Sequence, residues 1–319
     1  MVHTPIRATS TLVELTHAQY LKLPSENRRK EKNMNGKKVC VVGMGVMGSG
    51  IVQVCAQAGY DVSVVSRSEE SLKRGREKIK NDLSRLSKKG VIKQDEAEGI
   101  LDVITANATT SLEEGAKRAD FVIEAAYEDM ELKQEIFREL DKICPGHAIL
   151  GSNTSTFPIT ALAAATKRPD KVIGVHFMNP VPLMKGVEVI KSLMTSEETL
   201  SKTLAFVHSL GKEAVTVKDS PGFVTSRIMC LILNEAVKMR ENELASVEDI
   251  DNILRLSFNW PLGPFQLLDL IGIDIVAAVL NTIYNETGWE RFKPAVLMTQ
   301  MVRAGWTGRK AGKGFYEYK

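Results

Sequence analysis

A histidine and a glutamate twelve residues apart carry the chemistry this sequence suggests. His176 ends an apolar, β-branched run, Val172-Ile-Gly-Val175, and Glu188 lies within the next, Val187-Glu-Val-Ile190. An alcohol carbon gives up hydride only as its hydroxyl proton departs. That requires a general base titrating near neutrality, and imidazole is the natural choice. A carboxylate across from the ring would fix its tautomer and stabilise the imidazolium. A lone histidine would read as structural and its glutamate as a surface residue. The catalytic reading is favoured because His176 stands at a strand end beside Asn179-Pro-Val-Pro182, the edge where open α/β sheets bind ligands.

A second constellation belongs to a nucleotide. Gly43-Met44-Gly45-Val46-Met47-Gly48 has the G-x-G-x-x-G spacing, and it ends a strand and opens a helix, the context its mechanism requires. Gly43 permits the tight turn, Gly45 lets the backbone approach a pyrophosphate, and Gly48 lets helix and strand pack closely. The helix start, at Val46 and Met47, offers unpaired N–H groups and a partial positive charge. At the end of the next strand, where NAD enzymes usually place a carboxylate, stand Ser66, Arg67 and Ser68. Hydroxyls and a guanidinium would hold a 2′-phosphate, so NADP(H) is expected ahead of NAD. The other reading is that Arg67 is a solvated loop residue and NAD is used.

These groups need a scaffold that brings them to one edge. Strands are expected at Lys37-Lys-Val-Cys-Val-Val-Gly43, Asp61-Val-Ser-Val-Val65, Phe121-Val-Ile-Glu-Ala125, Ala148-Ile-Leu150, Lys171-Val-Ile-Gly-Val175 and Val187-Glu-Val-Ile190. Helices are expected over residues 46–58, 68–88, 131–144 and 199–210, the last behind a Thr195-x-x-Glu198 capping box. Such alternation means βαβ units and a mostly parallel sheet. After Asp219 the pattern becomes helical: 223–239, apolar almost all round and so expected buried, then 249–258 behind Ser246, and 265–284 beyond the breaker Trp260-Pro-Leu-Gly-Pro264. The expected division is a flexible extension over 1–36, with Met34 a plausible alternative start, a doubly wound α/β domain over 37–219, and an all-helical domain over 220–319.

Composition excludes other classes. Forty-two Lys and Arg against 39 Asp and Glu give +3, too small a bias to argue for nucleic acid or a membrane surface. Four cysteines without a C-x-x-C pair read as buried apolar residues in a reducing compartment, taken as the cytoplasm, rather than as a disulfide or metal framework.

From Lys37 onward the sequence resembles the short-chain L-3-hydroxyacyl-CoA dehydrogenases, most closely the bacterial 3-hydroxybutyryl-CoA dehydrogenases. The motifs that carry the resemblance, in order, are Gly43 to Gly48; Val122-Ile-Glu-Ala-Ala-Tyr-Glu128 with Lys133; Ser152-Asn-Thr-Ser-Thr156; His176-Phe-Met-Asn-Pro-Val-Pro-Leu-Met-Lys-Gly-Val-Glu188; Pro221-Gly-Phe-Val-Thr-Ser-Arg227; Gly263-Pro-Phe265; and Gly312-Lys-Gly-Phe-Tyr316. The resemblance implies that Ser155 hydrogen-bonds the reacting substrate oxygen, although locally it could equally be the N-cap of a helix near 157–166. It implies that Glu128 and Lys133 flank the nicotinamide ribose; on their own they would be an exposed ion pair of little worth. Asn153 is expected to cap or to line the cofactor site, and Asn179 to seat the substrate. One departure stands out: the family's Gly-Phe-x-x-Asn-Arg motif has Ser226 at the Asn position, one amide shorter, which puts a substrate contact from the helical domain in doubt.

An acyl-CoA substrate rests on the resemblance alone. The basic run over 73–93, from Lys73 to Lys93, could meet nucleotide phosphates or simply be a solvated helix face. The helical domain has more apolar positions than one layer uses, which suggests a homodimer through it. Two other readings stand beside the first: dehydrogenation of a different 3-hydroxy acid derivative, and a nucleotide-binding protein without catalysis. The intact Ser-Asn-Thr-Ser segment speaks against the former, and the joint presence of His176 and Glu188 against the latter.

Overall fold

The computed structural model describes residues 37–318; the expected extension and its Met34 start lie outside the described residues. In chain order the first half comprises β1 (Lys38–Val42), α1 (Val46–Gln57), β2 (Asp61–Val65), α2 (Glu69–Lys88), α3 (Gln94–Ala106), β3 (Ala108–Thr109), α4 (Leu112–Ala116), β4 (Phe121–Glu124), α5 (Met130–Ile143), β5 (Ile149–Ser152) and α6 (Ile159–Ala164). There follow β6 (Val172–Phe177), β7 (Gly186–Lys191), α7 (Glu197–Ser209) and β8 (Glu213–Lys218). The strands form one sheet in the order β3-β2-β1-β4-β5-β6-β7-β8. All neighbours run parallel except β6 and β7. The chain reverses its winding between β1 and β4, the switch point at which doubly wound sheets open a ligand crevice.

Alternation along the strands divides the core in two, as expected where helices cover both faces. Val39, Val41, Phe121 and Ile123 pack with α1 and α2, whereas Cys40, Val42 and Val122 pack with α5 and α6. Several helices start where a side chain satisfies a free amide. Ser68 Oγ accepts from Ser71 N at the head of α2, and Asp129 Oδ1 accepts from Leu132 N at the head of α5. At α7 the expected capping residue is displaced by one position: Ser196 accepts from Thr199 N, while the Thr195 hydroxyl donates inward to Val172 O at 2.7 Å.

The helical part comprises α8 (Thr225–Glu241), α9 (Val247–Phe258), α10 (Pro264–Ile271), α11 (Ile273–Thr287) and α12 (Val296–Arg303) around their own core. The expected helix over 265–284 is two helices bent by 93° at Gly272, whose φ of 112° no L-residue adopts comfortably. The helix expected to be wholly buried is not: on α8, Ile228 is 55% and Met229 40% exposed. Among the described residues no single helix is long and apolar enough to cross a membrane.

Two buried aspartates pin the chain end to this bundle. Asp251 accepts from Phe265 N, Gln266 N and the Tyr316 hydroxyl; Asp269 accepts from Phe315 N, Tyr316 N and the Tyr318 hydroxyl. The backbone of the tail passes so close that a Cβ on Gly314 would lie 2.0 Å from Asp269 Oδ1. The aspartate cannot yield without losing its three donors. Gly314→Ala should therefore lower stability by about 2–3 kcal/mol, seen as a lower thermal midpoint; an unchanged midpoint would mean that Asp269 gives way freely.

Candidate active site

The antiparallel pairing of β6 and β7 sets His176 opposite Glu188. Directly opposed residues project on the same face of a sheet, so their side chains meet. His176 Nδ1 lies 2.8 Å from Glu188 Oε2, and both residues are buried, at 6% and 4% exposure. An ionised carboxylate can only accept, so Nδ1 carries the ring proton and Nε2 presents its lone pair, 3.1 Å from Ser155 Oγ. Glu188 collects three further bonds from the start of α8: Val224 N and Thr225 N on Oε1, each at 3.0 Å, and the Thr225 hydroxyl on Oε2 at 2.9 Å. Burial would raise its pKa, but the bonds from His176 and Thr225 outweigh it and hold the carboxyl below the usual range.

Ser155 is not a helix cap. Asp219 caps α6 instead, accepting from Ile159 N and Thr160 N, which leaves the serine hydroxyl for the histidine. The serine's own backbone N donates to Glu128 Oε1 at 3.1 Å, and Glu128 also accepts from the Thr154 and Thr156 hydroxyls. Glu128 and Lys133 are joined at 3.1 Å, but the pair is no exposed ornament. Lys133 is 1% exposed, and its nearer partner is Glu124 at 2.6 Å, which is 0% exposed and also accepts from Ser152 Oγ and Ala126 N. Burial opposes the charge of Lys133, yet the two carboxylates, Glu124 foremost, overcome it and raise its pKa. Asn153 ties two strands' ends together: its Oδ1 accepts from Phe177 N, fixing the strand residue next to His176.

The glycine loop has the shape a dinucleotide needs. A Cβ on Gly43 would lie 2.4 Å from Ala125 O, and one on Gly48 1.9 Å from Gly43 O, whereas one on Gly45 would meet nothing within 4 Å. The open side of Gly45 adjoins the head of α1, where Val46 is exposed and no side chain caps the free amides. A pyrophosphate fits there. Arg67 is exposed beyond β2 and Ser66 is buried, while Ser68 is engaged at the head of α2. Asn179 is exposed just past β6, before a cis bond to Pro180. Ser226 is half-buried in the first turn of α8; its neighbour Thr225 is the one that meets Glu188. The basic run does not continue as one helix to Lys93: α2 ends at Lys88, and Arg74, Lys78 and Arg85 pair with acidic residues of the same helix.

Sequence reasoning missed Glu124, Thr225 and Lys212. Lys212 is buried at the head of β8, and its ammonium reaches the carbonyls of Val181 at 2.5 Å and Met184 at 2.7 Å, so it holds the loop that carries Asn179. Burial lowers its pKa to about 8. The signal for Glu124 was a carboxylate inside an otherwise apolar strand; no local signal marks the other two.

A doubly wound nucleotide domain, a helical domain, and an imidazole–carboxylate pair at their seam define a nicotinamide-dependent oxidoreductase acting on a CH–OH group. The chain belongs to the 3-hydroxyacyl-CoA dehydrogenase family: the model of that family's NAD binding domain matches residues 38–220 and that of its C-terminal domain residues 222–318. A probable 3-hydroxybutyryl-CoA dehydrogenase of Bacillus subtilis is 44% identical over 286 residues, 90% of this chain and 99% of that one. Among solved structures, the (S)-3-hydroxybutyryl-CoA dehydrogenase PaaH1 of Ralstonia eutropha is 42% identical with a TM-score of 0.83, and FadB2 of Mycobacterium tuberculosis 38% identical with a TM-score of 0.85. Each of these matches covers 89% of this chain and 99% of the other.

The lowered pKa of Glu188 has a consequence for stability. Its ionised form stabilises the fold above the ordinary carboxylate range, and that contribution disappears as pH falls through the lowered value. Glu188→Gln should therefore be less stable than the parent at pH 7, with the gap narrowing below about pH 4, in urea melts. A gap independent of pH would show that the charge of Glu188 does not contribute.

Proposed function

We propose that the protein interconverts (S)-3-hydroxyacyl-CoA, 3-hydroxybutyryl-CoA in the first instance, with the 3-oxoacyl thioester. The observation that carries this reading is the Glu188–His176–Ser155 constellation, at the same strand-end edge of the sheet as the glycine loop. His176 Nε2 takes the substrate hydroxyl proton in oxidation and returns it in reduction. Glu188 keeps the other nitrogen protonated and stabilises the imidazolium. With substrate in place, the Ser155 hydroxyl turns from His176 Nε2 to donate to the reacting oxygen, and Asn179 seats the substrate. Gly43, Gly45, Val46, Met47 and Gly48 hold the pyrophosphate, while Glu128 and Lys133 line the nicotinamide ribose. When bound, the nicotinamide supplies the two-electron acceptor for the hydride.

The finer assignments rest on the same residues. Arg67, exposed just beyond β2 where Ser66 follows the strand, supports NADP(H) over NAD. The names of the relatives support the thioester, and the exposed side chains of Ile228 and Met229 support a homodimer through the helical domain, whose start we place at Ser220 after the α/β domain of 37–219. Four buried cysteines agree with a reducing, cytoplasmic setting.

Reduced-nicotinamide absorbance should decay with acetoacetyl-CoA, and His176→Gln should slow that decay by about 10²–10⁴-fold. No decay above blank would overturn the reading and favour another 3-hydroxy acid derivative. In the same assay NADPH should outperform NADH, and Arg67→Asp should reverse the order; a parent preference for NADH would refute the cofactor assignment.

A further inference from the structure

The carboxylate behind His176 is shared. Glu188 Oε2 receives the histidine at 2.8 Å and the Thr225 hydroxyl at 2.9 Å, while Oε1 receives the two backbone amides of 224 and 225. We propose that Thr225, from the first turn of the helical domain, is a positioning residue that sets the proton affinity of His176 by drawing on the same carboxylate oxygen. The proposal rests on the dehydrogenase reading only for its meaning, since the geometry stands without it.

The physics is a competition. A hydroxyl donated to a carboxylate withdraws charge from the oxygen it meets. Less charge on Oε2 means weaker stabilisation of the imidazolium, so the ring loses its proton more readily. The base is thereby neutral over more of the range in which alcohol oxidation needs it so. Other groups around the pair leave this role to Thr225. Facing the ring from the β5–α6 loop is Ser155, neutral, with Glu128 and Lys133 behind it. Phe223 lies 5.9 Å from the ring by centroids, and Asn153 binds the backbone of Phe177. On the far side of β7, Glu188 is in register with Val215, and the charged residues of β8, Glu213 and Lys218, are at its ends. Arg227, the cation of the first turn of α8, is turned to Ser220 Oγ at 2.6 Å and Pro221 O at 2.7 Å.

The two backbone bonds to Oε1 do not depend on the side chain of residue 225. Thr225→Val therefore keeps the helix cap and shape and removes only the hydroxyl. The experiment follows the five histidines by ring NMR in ¹³C-histidine-labelled protein, His176 being assigned by its loss in His176→Gln. In Thr225→Val the pKa of His176 should rise by about half a unit; Thr225→Ser should restore it; and in a Glu188→Gln background Thr225→Val should change nothing. Should Thr225→Val fold poorly, Thr225→Ala is titrated in its place. An unmoved pKa, or the same shift without the Glu188 carboxylate, overturns the proposal. The titration needs no turnover, so a protein inert toward 3-hydroxyacyl-CoA refutes the substrate reading alone. One that turns over fully with an unmoved pKa refutes the role of Thr225 alone.

Discussion

A carboxylate taken out of water is costly, by several kcal/mol even after relaxation, unless donors surround it. Glu188 is surrounded by four, and they come from two parts of the fold: the histidine of β6, and a hydroxyl and two amides of α8. Each is a charge-assisted bond, stronger than its neutral counterpart. This explains the one antiparallel pairing in the sheet, after which β7 and β8 both run opposite to the other strands. Antiparallel pairing puts residue 188 directly opposite residue 176 and projects both on one face. The reversal also obliges the chain to turn sharply over 178–185, and Lys212 ties that turn down through its carbonyls.

A second charge group, buried at Glu124 and Lys133 and open to solvent at Glu128, stands behind Ser155. Glu124, Glu128 and Lys133 bring two carboxylates to one ammonium, and the surplus acceptors are taken up by Ser152, Ala126, Thr154, Ser155 and Thr156. Removing Glu124 or Lys133 would strand or weaken a buried charge, which is why such a cluster locks geometry even where its net contribution to stability is small. What it locks is the turn after β5, hence the position of the Ser155 hydroxyl relative to His176.

The readable parts of this protein are those whose cause is local. The glycine loop is legible because strand, turn and helix are contiguous: Gly48 answers to Gly43 within the motif, and only the neighbour of Gly43, Ala125, lies far along the chain. His176 and Glu188 were legible because one tight reversal joins their strands. The rest depends on distance along the chain. Thr225 is 37 residues from the carboxylate it meets, and Lys212 is 31 from Val181. β8 was passed over because it is an edge strand with charged ends and little burial, so its pattern is weak. By contrast α3 has a readable stripe, Ala97, Ile100 and Ile104, although the expected helices do not include it. Lys133 reads as a surface residue by type, and only the fold reveals two carboxylates waiting for it.

The Glu188 cap ties the docking of the helical domain to the carboxylate that holds the base. Val224, at the head of α8, offers no side-chain cap, so the first amides of that helix are satisfied from the other domain. If the helical domain swung away, those amides and the carboxylate would all lose partners together, and His176 would face a carboxylate with spare charge. The docked helical domain thus completes the donor set of Glu188, and with it fixes the orientation of the ring.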